Sequence, residues 1–159
     1  MGRNKNWQAD SERIWECLIA HKNRPLLFHS TVAQWTDVST HNVHYPLAYI
    51  LEFCERHHLP ALSGAVIDKS LYYSQGLKIP GGLFRLRRQD RLYFPNHYQF
   101  DKLYHQEMEA VRATDWLSIQ YKPCSYRYNE LKLRLSLSKI SSSTSQRNTT
   151  KGLYEHVRY

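Results

Sequence analysis

The sequence predicts an α+β domain, because helical and strand-like hydrophobic patterns follow one another along the chain. Apolar residues recur at helical spacing over about residues 10–22 and again over 46–57. Alternating residues then predict a β-hairpin, with one strand at 65–67 and a return strand at 83–87. Two helices joined by a short polar turn and followed by a hairpin are typical of a winged helix-turn-helix, in which the hairpin is the wing. We therefore expect a winged helix-turn-helix-like core.

Start and stop signals justify the helices of this core. Asp10 or Ser11 is an acceptable N-cap for the first helix, and Pro25 follows its end. A brief helix is predicted over residues 31–35. Pro46 suits the first turn of the second long helix, whose N-terminal end would face a ligand in a helix-turn-helix.

Three further elements are predicted beyond the hairpin, whose loop would cover residues 69–80. They are an additional helix over 101–113, β structure over 115–121 and a C-terminal strand over 130–140. In the last of these, leucine alternates with polar residues, and period-2 alternation predicts a half-buried strand. The alternating residues are Leu131, Leu133, Leu135 and Leu137 with Lys132, Arg134, Ser136 and Ser138.

Length and composition favour one domain with a tail. The 159 residues are 42% hydrophobic, which is enough for one core, predicted over residues 10–140. Residues 141–159 are predicted to form a Ser/Thr-rich linker and a basic tail. No apolar run approaches the roughly 20 residues of a membrane span, no signal peptide is evident, and the cysteine count of three is odd. We expect a cytoplasmic protein with reduced thiols.

The positive charge is concentrated in two segments. The net charge is +8, and residues 69–91 hold six Lys or Arg against one Asp, while residues 122–159 hold eight against two Glu. Concentrated positive charge attracts polyanions, although it can also serve only to keep a surface solvated. Tyrosines near the basic residues could stack on sugars or unpaired bases.

We therefore predict a nucleic-acid-binding surface, with duplex DNA as the favoured partner. The N-terminal end of the second helix would reach base edges, while the hairpin and the C-terminal strand would contact phosphates. No catalytic residue, metal or cofactor is assigned, and the oligomeric state stays open. The predicted residues are His41, Asn42, His44, Tyr45, Tyr49, Lys69, Tyr72, Tyr73, Lys78, Arg85, Arg87, Arg88, Arg91, Lys132 and Arg134.

A resemblance points the same way. The residues that carry it are Ile14-Trp15, Leu18, Leu47, Ile50, Cys54, Leu59-Pro60, Leu62, Ala65-Val66-Ile67, Pro80-Gly81-Gly82, Ala113 and Asp115-Trp116. With these residues, over about 12–117, the chain resembles a poorly characterised domain of bacterial and phage proteins, which is similar in layout to the winged-helix DNA-binding domain of alkyltransferases and alkyltransferase-like proteins. The resemblance implies a helix and a wing presented to nucleic acid. Residues 60–67 contain no cysteine, so alkyl transfer is not implied.

Three alternatives stay open. A protein-interaction module, such as an adaptor or an inhibitor in phage–host defence, could use the basic hairpin to bind an acidic protein surface. A small nuclease would need clustered carboxylates or histidines, and the candidates, scattered among loops, are Asp68, Asp90, Asp101, His97 and His105. Zinc could be held by two pairs of ligands, His41 with His44 and Cys54 with His57. However, Cys54 falls on the apolar stripe of the second long helix, which favours a core position.

Overall fold

The structure is a computed structural model that describes residues 6–76, 78, 80 and 97–135, and this part of the chain is helical. For residues 97–100 only the backbone is described. The helices are α1 (Trp7–His21), α2 (His29–Thr36), α3 (His44–Arg56), α4 (Lys69–Gln75), α5 (His97–Ala113) and α6 (residues 128–135). Short 3-10 turns occur at Thr40–Asn42, Leu62–Ala65 and Trp116–Ser118.

The long helices form where apolar residues recur at helical spacing, so the helix predictions are confirmed. α1 begins four residues before the expected cap, because the side chain of Asn6 accepts a hydrogen bond of 3.1 Å from the N–H of Ala9. Its buried stripe contains Ile14, Trp15 and Leu18. The stripe packs on α3 and α2.

α3 is the central helix of the described part. Every residue from Pro46 to Cys54 is buried, so only the two ends of this helix are accessible. One side packs with α1 around Trp15 and Phe53, whose ring centroids are 5.4 Å apart. The other side packs with α6. A recognition helix must expose one face to a DNA groove, and α3 does not.

The predicted α+β fold with a hairpin wing is wrong for the described residues. In place of a strand, residues Leu62–Ala65 form a 3-10 turn, and Ile67 makes only isolated bridges to Phe28 and Pro80. No strand occurs within residues 6–76 or 97–135. The expected return strand, residues 83–87, lies outside the described residues.

The expected hairpin loop contains α4 instead. The carboxylate of Asp68 accepts a hydrogen bond of 3.0 Å from the N–H of Leu71 and so caps the start of this helix. Gly76 ends it in the left-handed conformation, with φ of 68°, which glycine adopts at little cost. A cap at each end makes this segment helical despite its short length.

The C-terminal strand and the β structure over 115–121 are also wrong. The segment over 128–135 is a helix, in which Leu131 and Leu135 are buried and Leu133 is 61% exposed. These two buried leucines lie one helical turn apart, so they face the same way. In the segment predicted to be β structure, residues Trp116–Ser118 form a 3-10 turn. The rest of that segment pairs with no strand among the described residues.

Two groups of core side chains flank α3. The larger joins α1, α2, α5 and the turns around Leu62 and Trp116, and the smaller joins Tyr49 on α3 to Cys124 and α6. None of the helices described is long and apolar enough to traverse a bilayer. The predicted linker and tail, residues 141–159, lie outside the described residues.

Candidate functional site

Aromatic rings from three helix starts meet at the N-terminal end of α3. Trp7 is the first residue of α1, His44 and Tyr45 are the first two of α3, and Tyr128 is the first of α6. We call these four residues the α3-tip cluster. All four side chains are half-buried, so each presents part of its ring to the surface.

Ring geometry shows that the α3-tip cluster is a packed unit. Tyr45 lies at its centre: its ring stacks on Trp7 with centroids 4.8 Å apart and meets the edge of Tyr128 at 4.1 Å. The ring of His44 is 4.1 Å from that of Tyr45. These distances fall within or close to the range at which aromatic rings attract one another. The cluster is therefore organised before any ligand arrives.

Local hydrogen bonds fix the segment that carries Tyr128. The carboxylate of Glu130 accepts a hydrogen bond of 3.3 Å from the N–H of Arg127, as in a helix capping box. The hydroxyl of Tyr49 donates to the carbonyl oxygen of Tyr126 at 2.7 Å, and the side-chain amide of Gln8 donates to that of Cys124 at 3.2 Å. α1 and α3 thus both hold residues 124–128 in place.

A cavity of about 300 Å³ opens beside the α3-tip cluster. Rings, amides and one guanidinium form its wall, and the described residues that line it include no carboxylate. Such a wall can bind a planar apolar ring and an anion side by side. The lining residues are Trp7, Gln8, Tyr49, Tyr126, Arg127, Tyr128 and Asn129.

Burial sets the protonation of the cluster. It lowers the pKa of His44 from its ordinary value, and a hydrogen bond to the backbone of His41 only partly offsets this. Burial, together with the neighbouring Tyr45, raises the pKa of Tyr128. Both rings are therefore neutral at pH 7. The positive charge among the residues that line the cavity is that of Arg127.

A second aromatic group lies on α4. Tyr72 and Tyr73 contact the ring of Phe28 with centroid distances of 5.8 and 5.9 Å, and the ammonium of Lys69 is 5.9 Å from that ring. His29 follows Phe28 in sequence, and burial lowers its pKa, with His44 adding to the effect. Phe28 and the side chains of α4 thus form an aromatic group of their own, separate from the α3-tip cluster in its contacts.

The remaining predicted residues around α3 differ in accessibility. His41 and Asn42 lie in the 3-10 turn before α3, where His41 is exposed and Asn42 half-buried. Tyr49 is buried and its hydroxyl is already bonded to Tyr126. Lys78 is half-buried. Tyr49 therefore contributes little accessible surface to the cavity, and it supports the site mainly through its hydrogen bond to Tyr126.

Arg134 and Lys132 lie on α6 and not on an outward strand face. Arg134 donates from Nε to the carboxylate of Glu52 at 2.6 Å and from Nη1 to the hydroxyl of Tyr126 at 3.0 Å. Glu52 is 5% exposed, and its carboxylate is 3.7 Å from Arg56. It raises the pKa of Arg134. Arg134 therefore compensates a buried charge of the core.

The hairpin arginines cannot be placed in this site. Arg85, Arg87, Arg88 and Arg91 all lie outside the described residues, and their role stays a prediction.

The zinc and nuclease candidates do not assemble in the described part of the chain. Cys54 is buried in the core, as the sequence indicated, and within residues 6–76 and 97–135 no three His, Cys, Asp or Glu side chains are grouped as metal ligands. Asp68 caps α4. His105 lies 4.0 Å from Asp101 on the exposed side of α5.

Comparison with protein-family models, curated proteins and solved structures finds no match for the chain. The resemblance drawn from the sequence thus stays a prediction. The function that we propose therefore rests on the residues of the site.

Six of the residues that line the cavity were missed in the sequence. Trp7 and Gln8 precede the first predicted helix, and the other four lie between the β structure predicted over 115–121 and the strand predicted over 130–140; they are Tyr126, Arg127, Tyr128 and Asn129. The sequence did contain a signal for the start of α6. Arg127 and Glu130 have the spacing of a capping box, and residues with strong helix propensity follow.

Proposed function

We propose that the protein binds nucleic acid without catalysing a reaction, and that unpaired bases stack on the α3-tip cluster. The observation that carries this proposal is the cavity beside the cluster, whose lining combines aromatic rings, two side-chain amides and Arg127 without a carboxylate. Proteins that bind single strands combine the same elements, namely stacking rings and nearby positive charge.

Each part of the lining has a role in this proposal. Bases stack on the accessible faces of Trp7 and Tyr128, which is worth about 1–3 kcal/mol per base in comparable proteins. Arg127 and the helix N-termini attract the phosphates. The side-chain amide of Asn129, which is exposed, hydrogen-bonds base edges.

Unpaired strands fit this surface better than an intact duplex. The sequence predicted duplex DNA on the basis of a recognition helix and a wing, but α3 is buried from Pro46 to Cys54 and the described residues contain no strand. Bases in a duplex expose only their edges, whereas stacking on a ring needs an exposed face. We therefore favour single strands.

The cysteines support the cytoplasmic location as part of the same proposal. Cys17, Cys54 and Cys124 form no disulfide with one another. Burial raises the pKa of Cys17 and of Cys124, which keeps both thiols protonated. Unreactive thiols suit a reducing compartment.

Fluorescence anisotropy with dye-labelled single-stranded, duplex and RNA oligonucleotides tests the proposal. We expect single strands to bind more tightly than duplex, with affinity falling as salt rises. Trp7→Leu and Tyr128→Leu should each weaken binding about 5- to 150-fold, the equivalent of one stacked base. Trp35→Leu is the matched control, because Trp35 is 40% exposed on α2 and contacts His21 and Arg24 instead.

Two results would contradict the proposal. One is the absence of binding to every oligonucleotide at low salt, which would favour the protein-interaction alternative. The other is equal weakening by Trp7→Leu and Trp35→Leu, which would mean that binding does not involve the α3-tip cluster. Circular dichroism of each variant checks that it is folded.

A further inference from the structure

A second aromatic cavity lies further along α1 and differs in charge from the α3-tip cluster. It is a groove of about 570 Å³ between α1 and the segment that follows α5. We call it the α1 groove. Its lining is apolar except for the carboxylates of Glu12 and Glu16, and it includes Trp15, Trp116, Leu117 and Tyr121.

Internal contacts fix the floor of the α1 groove. Trp15 stacks on Tyr121 with centroids 4.6 Å apart and meets the edge of Trp116 at 5.4 Å. The indole N–H of Trp116 donates to the carbonyl oxygen of Val111 at 2.6 Å, and the hydroxyl of Tyr121 donates to Ser11 Oγ at 2.8 Å. Because these polar atoms are satisfied inside the protein, neither the indole N–H of Trp116 nor the hydroxyl of Tyr121 is left to bond a ligand.

Leu117 stands beside this floor. Its side chain is 89% exposed, whereas its neighbour Trp116 in the same 3-10 turn is buried. An apolar side chain in water gains free energy when a ligand covers it. Leu117 therefore extends the apolar surface that a ligand could cover.

Two carboxylates form the opposite edge of the α1 groove. Glu12 and Glu16 are exposed and lie four residues apart on α1, so they are neighbours on one face and repel each other. Neither forms an ion pair with any other described residue. A cationic ligand would relieve this repulsion, and an anionic one would add to it.

We propose that the α1 groove binds a basic, apolar-faced segment of a partner protein, in which apolar side chains cover the floor and a Lys or Arg lies between Glu12 and Glu16. Charge complementarity favours a basic segment, because the carboxylates of Glu12 and Glu16 repel nucleic acid and acidic peptides. An amphipathic helix in a groove is a common form of such binding.

Fluorescence polarisation of the full chain with two synthetic peptides tests the proposal. The first peptide has about 14 residues, or four helical turns, with leucines on one face and lysines on its flanks. The second replaces every lysine with glutamate. We expect the lysine peptide to bind at least about tenfold more tightly, by an amount that shrinks as salt rises.

Matched variants locate the binding. Replacing both Glu12→Gln and Glu16→Gln should weaken the lysine peptide about three- to tenfold and reduce its salt dependence, whereas Glu109→Gln, on the exposed side of α5, should not. Leu117→Ala should weaken it about three- to tenfold, whereas Leu133→Ala, a leucine 61% exposed on α6, should not. All these side chains are exposed, so the variants should fold.

Four results would overturn the proposal. Equal binding of the two peptides would show that charge does not select the ligand. Equal effects of the groove and control variants would show that the peptide does not bind in the α1 groove. If a peptide of residues 136–159 displaced the lysine peptide at similar concentration, the ligand of the α1 groove would be a segment of the protein's own chain. Self-association in sedimentation that is lost in the Glu12→Gln, Glu16→Gln variant would make it a second copy.

Discussion

The α3-tip cluster and the α1 groove are both built from Trp and Tyr, yet their surroundings suit opposite ligands. At the cluster, Arg127 and side-chain amides adjoin the rings, and no carboxylate lines the cavity. At the groove, Glu12 and Glu16 adjoin rings whose polar atoms are bonded internally. The comparison teaches that aromatic content alone does not identify a partner. The charges beside the rings and the hydrogen bonds of their polar atoms are what lead us to propose a different class of ligand for each site.

The largest expected difference concerns stability. Trp116 is 2% exposed and lies under the α1 groove, whereas Trp7 is half-buried at a helix start. Trp116→Ala should lower the free energy of unfolding by about 3–5 kcal/mol, because it opens a large cavity. Trp7→Ala should cost roughly 1–2 kcal/mol, because only part of its ring leaves the protein interior. Urea denaturation followed by circular dichroism measures both.

Equal costs for these two substitutions would contradict the comparison. They would mean that the α3-tip cluster is as much a part of the core as the groove floor, and therefore not a surface kept for a ligand. Trp35→Ala, at an exposed position on α2, provides the reference for a tryptophan outside both sites.

The second prediction separates two arginines near α6. Arg134→Ala should lower the free energy of unfolding by about 1–3 kcal/mol, because it leaves the buried carboxylate of Glu52 without its closest partner. Arg127→Ala should change stability little but reduce oligonucleotide affinity and lower its salt slope by about 1. Denaturation and salt titration of both variants test this. The reverse assignment would mean that Arg134 contacts the nucleic acid.

Sequence patterns identified the long helices because one rule, apolar residues at helical spacing, determines them. For α6 the same pattern satisfied two rules: Leu131, Leu133 and Leu135 alternate as in a strand, but the first and last also lie one helical turn apart. Helix propensity decides between the rules, since Glu, Leu, Lys and Arg are all strong helix formers. The weight given to alternation alone explains the wrong C-terminal strand.

The candidate site could be predicted only in part, for a different reason. His44 and Tyr45 were selected because they begin a helix, and the structure does place them at an accessible helix end. Trp7 and Tyr128 come from distant parts of the chain, and only tertiary packing brings them to Tyr45. The burial of α3 likewise follows from helices packed on both sides, which no local pattern reveals.

The third prediction concerns the histidines, one of which, His44, belongs to the α3-tip cluster, whereas none lines the α1 groove. Burial lowers the pKa of His29, whose Nδ1 is 3.1 Å from the carbonyl oxygen of Ile67, with Asp68 and His44 nearby. The unfolded chain therefore binds the proton more readily. Stability is complete above the ordinary pKa of 6.5 and is lost as the pH falls below it.

The loss should be at most about 1.4 kcal/mol per pH unit for this one group. Urea denaturation between pH 7.5 and 5.5, a range of about two pH units around the ordinary pKa of histidine, should show a smaller loss in His29→Asn than in the unmodified protein. An unchanged slope in His29→Asn would mean that His29 can be protonated in the folded state without cost.

The smallest predicted effect is a gain in stability at the edge of the α1 groove. Glu12 and Glu16 repel each other across one helical turn, and no described residue forms an ion pair with either. Glu16→Gln should therefore raise the free energy of unfolding by about 0.2–0.5 kcal/mol, the usual size of such a repulsion. Glu109→Gln should not, and careful urea titration at low salt can resolve the difference.

A loss of stability in Glu16→Gln would show that the carboxylate already has a cationic partner within the chain. A gain would mean that the groove keeps a repulsion that folding does not need, as expected of a site whose compensating charge comes from a ligand.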